Sequence, residues 1–188
     1  MKKFFTIKNI VLLGAVVFGL VAFFLSFAAH LTVTMDGPRG TLKNIVWGCN
    51  LFVADGHTDV PPYKIGPSVL TMIGFILILV GILGAAAVGL FLQKPWAKWV
   101  VVACAAVALV GSVFTFIYVG PFARAFTDAG FKSQGLHPTQ EQYNHMFEKF
   151  KEMIKNGDPS CPGCVVAGIL GIIAAGAAGA SQFLPEKK

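Results

Sequence analysis

The chain has 188 residues, of which 55% are hydrophobic and only 13% charged, and its mean hydropathy is +0.71. That balance excludes an ordinary soluble domain. The formal charge of +6 falls in short segments beside apolar runs, so it marks membrane topology and gives no support to nucleic-acid binding.

A helix needs about 20 consecutive apolar residues to cross a hydrocarbon core. Four stretches meet that length without an Asp, Glu, Lys, Arg or His: 10–29, 69–92, 99–119 and 164–184. In lipid a single span must satisfy its own backbone hydrogen bonds, which calls for helices; a β-barrel would show short alternating segments. The expected fold is therefore an all-α membrane protein, one four-helix transmembrane domain over 1–188, with outer loops 30–68 and 120–163.

Sidedness follows from the basic residues, which stay cytoplasmic when they lie in short loops near spans. With the amino terminus inside, the inner segments hold Lys2, Lys3, Lys8, Lys94, Lys98, Lys187 and Lys188 against Glu186 alone, which accounts for the whole net charge. Both termini are then expected in the cytoplasm, across a plasma or bacterial cytoplasmic membrane. Trp96 and Trp99 fall at an inner interface, Tyr63 and Tyr118 at outer ones, as aromatic belts require. The basic start, the apolar run and the small residues Ser26 and Ala28 also have the form of a secretory signal peptide; a four-span topology requires that this segment be retained.

After the first span, Leu31-Thr32-Val33-Thr34-Met35 alternates with period two, and Asp36-Gly37-Pro38-Arg39-Gly40 reads as a turn. A return over 41–52 gives a small extracellular β-hairpin. In Asp55-Gly56-His57-Thr58-Asp59 the residues Asp55, His57 and Asp59 offer short-spaced oxygen and nitrogen ligands, but neither an EF-hand loop nor a zinc pattern is completed. A solvated turn is the expected reading.

The second and third spans are joined by Gln93-Lys94-Pro95-Trp96-Ala97-Lys98, short enough to impose an antiparallel helical hairpin. The third helix is expected to continue through Phe122 to Asp128 and to end at Gly130 and Gly135. Pro138, Thr139 and Gln142 then form a start signal for an amphipathic helix stopped by Asn156-Gly157. Its apolar stripe is Tyr143, Met146, Phe147, Phe150 and Ile154. Such a face must be buried, either against the protein's own helix ends, which is the expected case, or against a partner.

Small residues recur every fourth position in two spans: Gly81, Ala85 and Gly89 in the second, and Ala167, Gly171, Ala175 and Gly179 in the fourth. Ridges of this kind let helix backbones approach closely in lipid, with packing inside the chain as the default and contact with another subunit as the alternative.

Cys161-Pro162-Gly163-Cys164 opens the fourth span. Pro162 suits the first helical position, so Cys161 falls at the N-cap, where free N–H groups and the helix dipole favour a thiolate. The expected role is a structural bridge from Cys161 or Cys164 to Cys49, and the alternative is thiol-disulfide chemistry. Cys104, within the third span, reads as packing.

In topology and in this outward-facing motif the chain is similar to four-helix quinone-coupled thiol oxidases and vitamin K epoxide reductases. Those enzymes generally use two outer cysteine pairs, whereas here Cys49 is the only further outer cysteine beside Cys161 and Cys164. The resemblance implies a cysteine relay but no quinone site, because no matching motif covers the spans. The first loop, with Trp47-Gly48-Cys49, also looks somewhat like that of claudin-type tetraspan proteins, whose longer Trp-containing motif carries two cysteines.

No catalytic triad, phosphate loop or carboxylate pair is recognisable, and spans without ionisable groups disfavour ion-coupled transport. The expected function is that of a non-enzymatic tetraspan protein, an accessory subunit, scaffold or self-assembling membrane component. Its partners are membrane lipid and another membrane protein or itself, with no cofactor. A membrane thiol-disulfide oxidoreductase and a small transporter or channel subunit are the alternatives.

Overall fold

The computed structural model describes residues 6–28, 30–37, 40–47, 56–57, 64–65, 69–92, 94–156 and 161–184. Helix α1 is Ile7–Ala28, α2 Val69–Phe91, α3 Ala97–Phe116, α4 Val119–Ser133, α5 Gln140–Asn156 and α6 Pro162–Ser181. Strands β1 (His30–Gly37) and β2 (Gly40–Trp47) pair antiparallel with Gly37 opposite Gly40, and β3 (Gly56–His57) pairs antiparallel with β4 (Lys64–Ile65).

Four helices are long and apolar enough to cross a membrane: Ile7–Leu25, Val69–Phe91, Ala97–Phe116 and Pro162–Ser181. Their large side chains point outward to an extent that water would penalise. Val17, Phe24, Val80, Phe91 and Ile173 are exposed, and Trp99 is 62% exposed. In lipid that outer surface is solvated, and association relies instead on close packing of small side chains inside.

The chain groups into two compact units. The first takes α1 as far as Leu25, α2 from Ile73, all of α3, and α6 from Val166. Its core is built from Leu12, Ala15, Ile82, Ala85, Val101, Ala105, Ala108, Ala174, Ala175 and Ala178. Alanine dominates because its short side chain lets helix axes come together without leaving voids. Buried hydroxyls in this unit turn back onto their own helices: Ser112 donates to the Ala108 carbonyl at 2.9 Å, Thr115 to that of Ser112 at 2.7 Å, and Ser181 to that of Ala178 at 2.6 Å. Each donor is thus satisfied without a partner on another helix.

The second unit comprises residues 26–72 and 117–165. Within it α5 packs against α4 and β1, around the buried side chains of Tyr118, Phe122, Phe126 and Ile154. One sequence expectation is corrected here. The third span does not run on through Asp128: it ends at Phe116, and α4 is a separate helix that passes through Gly130 to Ser133. Pro121 supplies the reason. It has no N–H to give and its ring crowds the carbonyl four residues earlier, so it fits the first turn of a new helix and interrupts a continuous one.

Helix α4 closes with a pair of bonds that only a left-handed residue permits. Leu136 N–H donates to the Phe131 carbonyl at 3.1 Å, and Gly135 N–H donates to that of Lys132 at 3.2 Å. Gly135 sits at φ +64°, a conformation that glycine adopts without a Cβ penalty. At the start of α5, Gln142 N–H donates to Thr139 Oγ1 at 3.3 Å while Thr139 N–H donates to Gln142 Oε1 at 3.0 Å. This reciprocal box satisfies donors that the first helical turn leaves free.

Candidate functional site, a buried dithiol and two packed ridges

Pro162 is the first residue of α6, and the Cys161 carbonyl accepts a bond from Val165 N–H at 3.3 Å, which makes Cys161 the N-cap. Three residues on, Cys164 returns to the same side of the turn. The two sulfurs lie 3.0 Å apart and share a hydrogen bond, with Cys161 2% and Cys164 0% exposed. The Cys164 thiol holds the Cys161 thiol below its ordinary range. Burial opposes this and the Cys164 backbone N–H adds to it. Once Cys161 ionises it can only accept, so the bond is charge-assisted and stronger than between neutral thiols.

The other candidates are less gathered. Cys49, Asp55 and Asp59 lie outside the described residues, as does the side chain of His57 in β3, so the Cys49 bridge and the Asp55, His57, Asp59 ligand set have no structural support. Among the described residues no group of three or more His, Cys, Asp or Glu side chains could hold a metal ion. Cys104 is half-buried in α3, and a methyl added at Gly84 would lie 3.2 Å from its sulfur.

The ridges meet neighbours within the same chain. A methyl at Gly81 would stand 2.6 Å from the Cys104 carbonyl oxygen and 2.7 Å from the Ala108 nitrogen, so α2 touches the α3 backbone there. One at Gly89 would meet the side chain of Leu12 on α1 at 2.6 Å. Ala85, Ala167 and Ala175 are buried. On α6, Gly171 faces Ser112 and Ile78, whereas a methyl at Gly179 would find Ala105 Cβ at an ordinary 3.8 Å.

Sequence reasoning missed the partner ridge. Gly111 sits against the backbone of Gly74 and Ile78, and Gly168 against Thr115 and Phe116. The signal was present in α3, where Ala105, Ala108, Gly111, Ser112 and Thr115 repeat at three- and four-residue spacing.

The α5 stripe is used inside the second unit. Phe150 lies with its ring centre 5.6 Å from that of Phe126, Tyr143 stacks on Phe131 at 6.2 Å, and Ile154 is fully buried. Phe147 is half-buried and carries the Lys151 ammonium 5.6 Å from its ring centre. Tyr143 O–H donates to Asp128 at 2.7 Å. Burial raises the Tyr143 phenol, the Asp128 hydrogen bond adds to the rise, and Arg124 partly offsets it.

A phenol whose pKa is higher in the folded state stabilises fully below the unfolded value of about 10 and loses that contribution as pH rises through the folded one. Docking of α5 on α4 is therefore expected to weaken above about pH 10. Tyr143→Phe should abolish that alkaline loss and cost about 1 kcal/mol at neutral pH, read from hydrogen exchange across α5 between pH 8 and 11.

Comparison with family models, with curated proteins and with solved structures finds no match to this chain. The class rests on its own architecture: four helices long and apolar enough to span a bilayer make it an integral membrane protein.

Proposed function

We propose that the chain is a non-enzymatic four-span protein with both termini in the cytoplasm and the β1–β2 hairpin, α4 and α5 on the outer side. It acts as an accessory subunit or scaffold for another membrane protein or for a second copy of itself. The observation that carries this reading is how the bundle interior is used. Glycine-to-backbone contact joins α2 to α3 at Gly81 and Gly111, and Ser112, Thr115 and Ser181 spend their hydroxyls on carbonyls of their own helices.

Such an interior supports an anchor. A transport path would need polar groups free to meet a permeant. With the ridges engaged inside the chain, partner contact is assigned to the lipid-facing side chains and to the charged outer face of α5, where Glu141, Glu148, Lys149, Glu152 and Lys155 are exposed.

Native mass measurement and cross-linking in mild detergent should find either a homo-oligomer or a co-purifying membrane protein; only monomer with no partner would count decisively against the proposal. Sidedness has its own check. A reporter fused after Lys188, or placed between Lys94 and Lys98, should be cytoplasmic, and one near Gly135 external. An external carboxyl terminus would remove the orientation.

A further inference from the structure

We propose that Cys161 and Cys164 are a reversible dithiol–disulfide couple at the start of α6, one that exchanges with a low-molecular-weight disulfide. The proposal goes beyond the scaffold reading and does not depend on it. A buried cysteine that serves only as a small apolar side chain has no need of a second sulfur beside it. Here the N-cap and the third helical residue set the two sulfurs 3.0 Å apart, about 1 Å beyond the length of an S–S bond. Pro162 presets the backbone between them, since its ring fixes φ and its missing N–H is not needed at the first helical position. The N-cap site places the Cys161 sulfur at the positive end of the α6 dipole and within reach of the Cys164 backbone N–H, where negative charge is favoured.

The chemistry is a two-step exchange. The Cys161 thiolate attacks one sulfur of the external disulfide, breaking its S–S bond. One half leaves as a thiolate and takes a proton from solvent, while the other half stays on Cys161 as a mixed disulfide. Cys164 then gives its proton to solvent and attacks the Cys161 sulfur, which expels the second half as a thiolate that takes a proton from solvent. The pair has lost two electrons and two protons, and the external disulfide has become two thiols. The reverse reaction with two small thiols restores the dithiol. Cys161 is 2% exposed, so a small disulfide is a better-suited oxidant than a folded protein surface, and exchange is expected to be slow.

The test uses the full-length protein in detergent micelles, equilibrated with defined mixtures of reduced and oxidised glutathione, quenched with an alkylating reagent and mapped by peptide mass. Cys161 and Cys164 are expected to pass together from alkylated to mutually linked in one two-electron transition. In Cys164→Ser, Cys161 should accumulate as the mixed disulfide with glutathione. In Cys161→Ser, capture of glutathione at Cys164 should fall at least tenfold, and serine, itself a good N-cap, preserves the helix start. Both thiols remaining alkylatable at every ratio would overturn the proposal. So would a peptide linking either of them to Cys49, or equal capture by the two single variants.

Discussion

Gly111→Ala is expected to destabilise the bundle by about 3 kcal/mol, the upper end of what an added methyl costs in a packed interior. The new Cβ would stand 2.6 Å from the Gly74 carbonyl oxygen, 2.8 Å from the Ile78 nitrogen and 2.8 Å from Leu77 Cβ. Two of those atoms belong to the α2 backbone and cannot rotate away, so the helices must separate and lose dispersion contacts along the whole seam. Gly81→Ala should behave alike, for the same reason seen from the opposite helix. Gly74→Ala combined with Gly111→Ala should cost less than the two separately, because either one already opens the same contact.

Gly14→Ala and Gly176→Ala supply the control, since neither position has a neighbouring heavy atom within 4 Å of the added carbon. Both should be neutral, and Gly179→Ala nearly so. Unfolding in mixed micelles titrated with a denaturing detergent reads the difference. Equal tolerance at Gly111 and Gly14 would mean that α2 and α3 do not meet as described.

The second large effect lies in the other unit. Phe126→Ala is expected to cost about 3 to 5 kcal/mol, because the ring is 0% exposed and its removal leaves a cavity facing Phe150. The loss should be local to α4 and α5: faster hydrogen exchange and new proteolytic cuts after Lys149, Lys151 or Lys155, with protection of the four spans unchanged. Phe147→Ala should cost only about 1 kcal/mol, since a half-exposed ring under a lysine contributes little more than its cation–π contact. If both variants leave α5 equally protected, the aromatic stripe is not what docks that helix.

What could be read from the chain alone was whatever depends on near neighbours. Length and apolarity of a span are local quantities, so the four membrane helices were legible before any packing was known. Two helix starts were legible for the same reason. Thr139 and Gln142 satisfy each other's backbone donors across three residues, and Pro162 suits a first turn whatever surrounds it. The end of α3 was equally local but was misread, since the weight placed on continued apolar residues hid what Pro121 does to the preceding turn.

The pairing of surfaces was decided only by tertiary structure. A row of small residues states that some backbone will come close, but not which one. Gly81 and Gly171 turn to α3, Gly89 turns to a leucine of α1, and Gly179 has room to spare, although all four lie on the same two periodic ridges. The stripe of α5 likewise required a cover, expected at the helix ends, and it is Phe126 and Phe131 on the face of α4 that provide it. For the cysteines the spacing permitted either a long-range bridge or a local pair. It is the turn of α6, by bringing the sulfurs to 3.0 Å, that sets the local pair side by side. Periodicity selects a face, and the face's partner emerges only when non-local contacts compete for it in three dimensions.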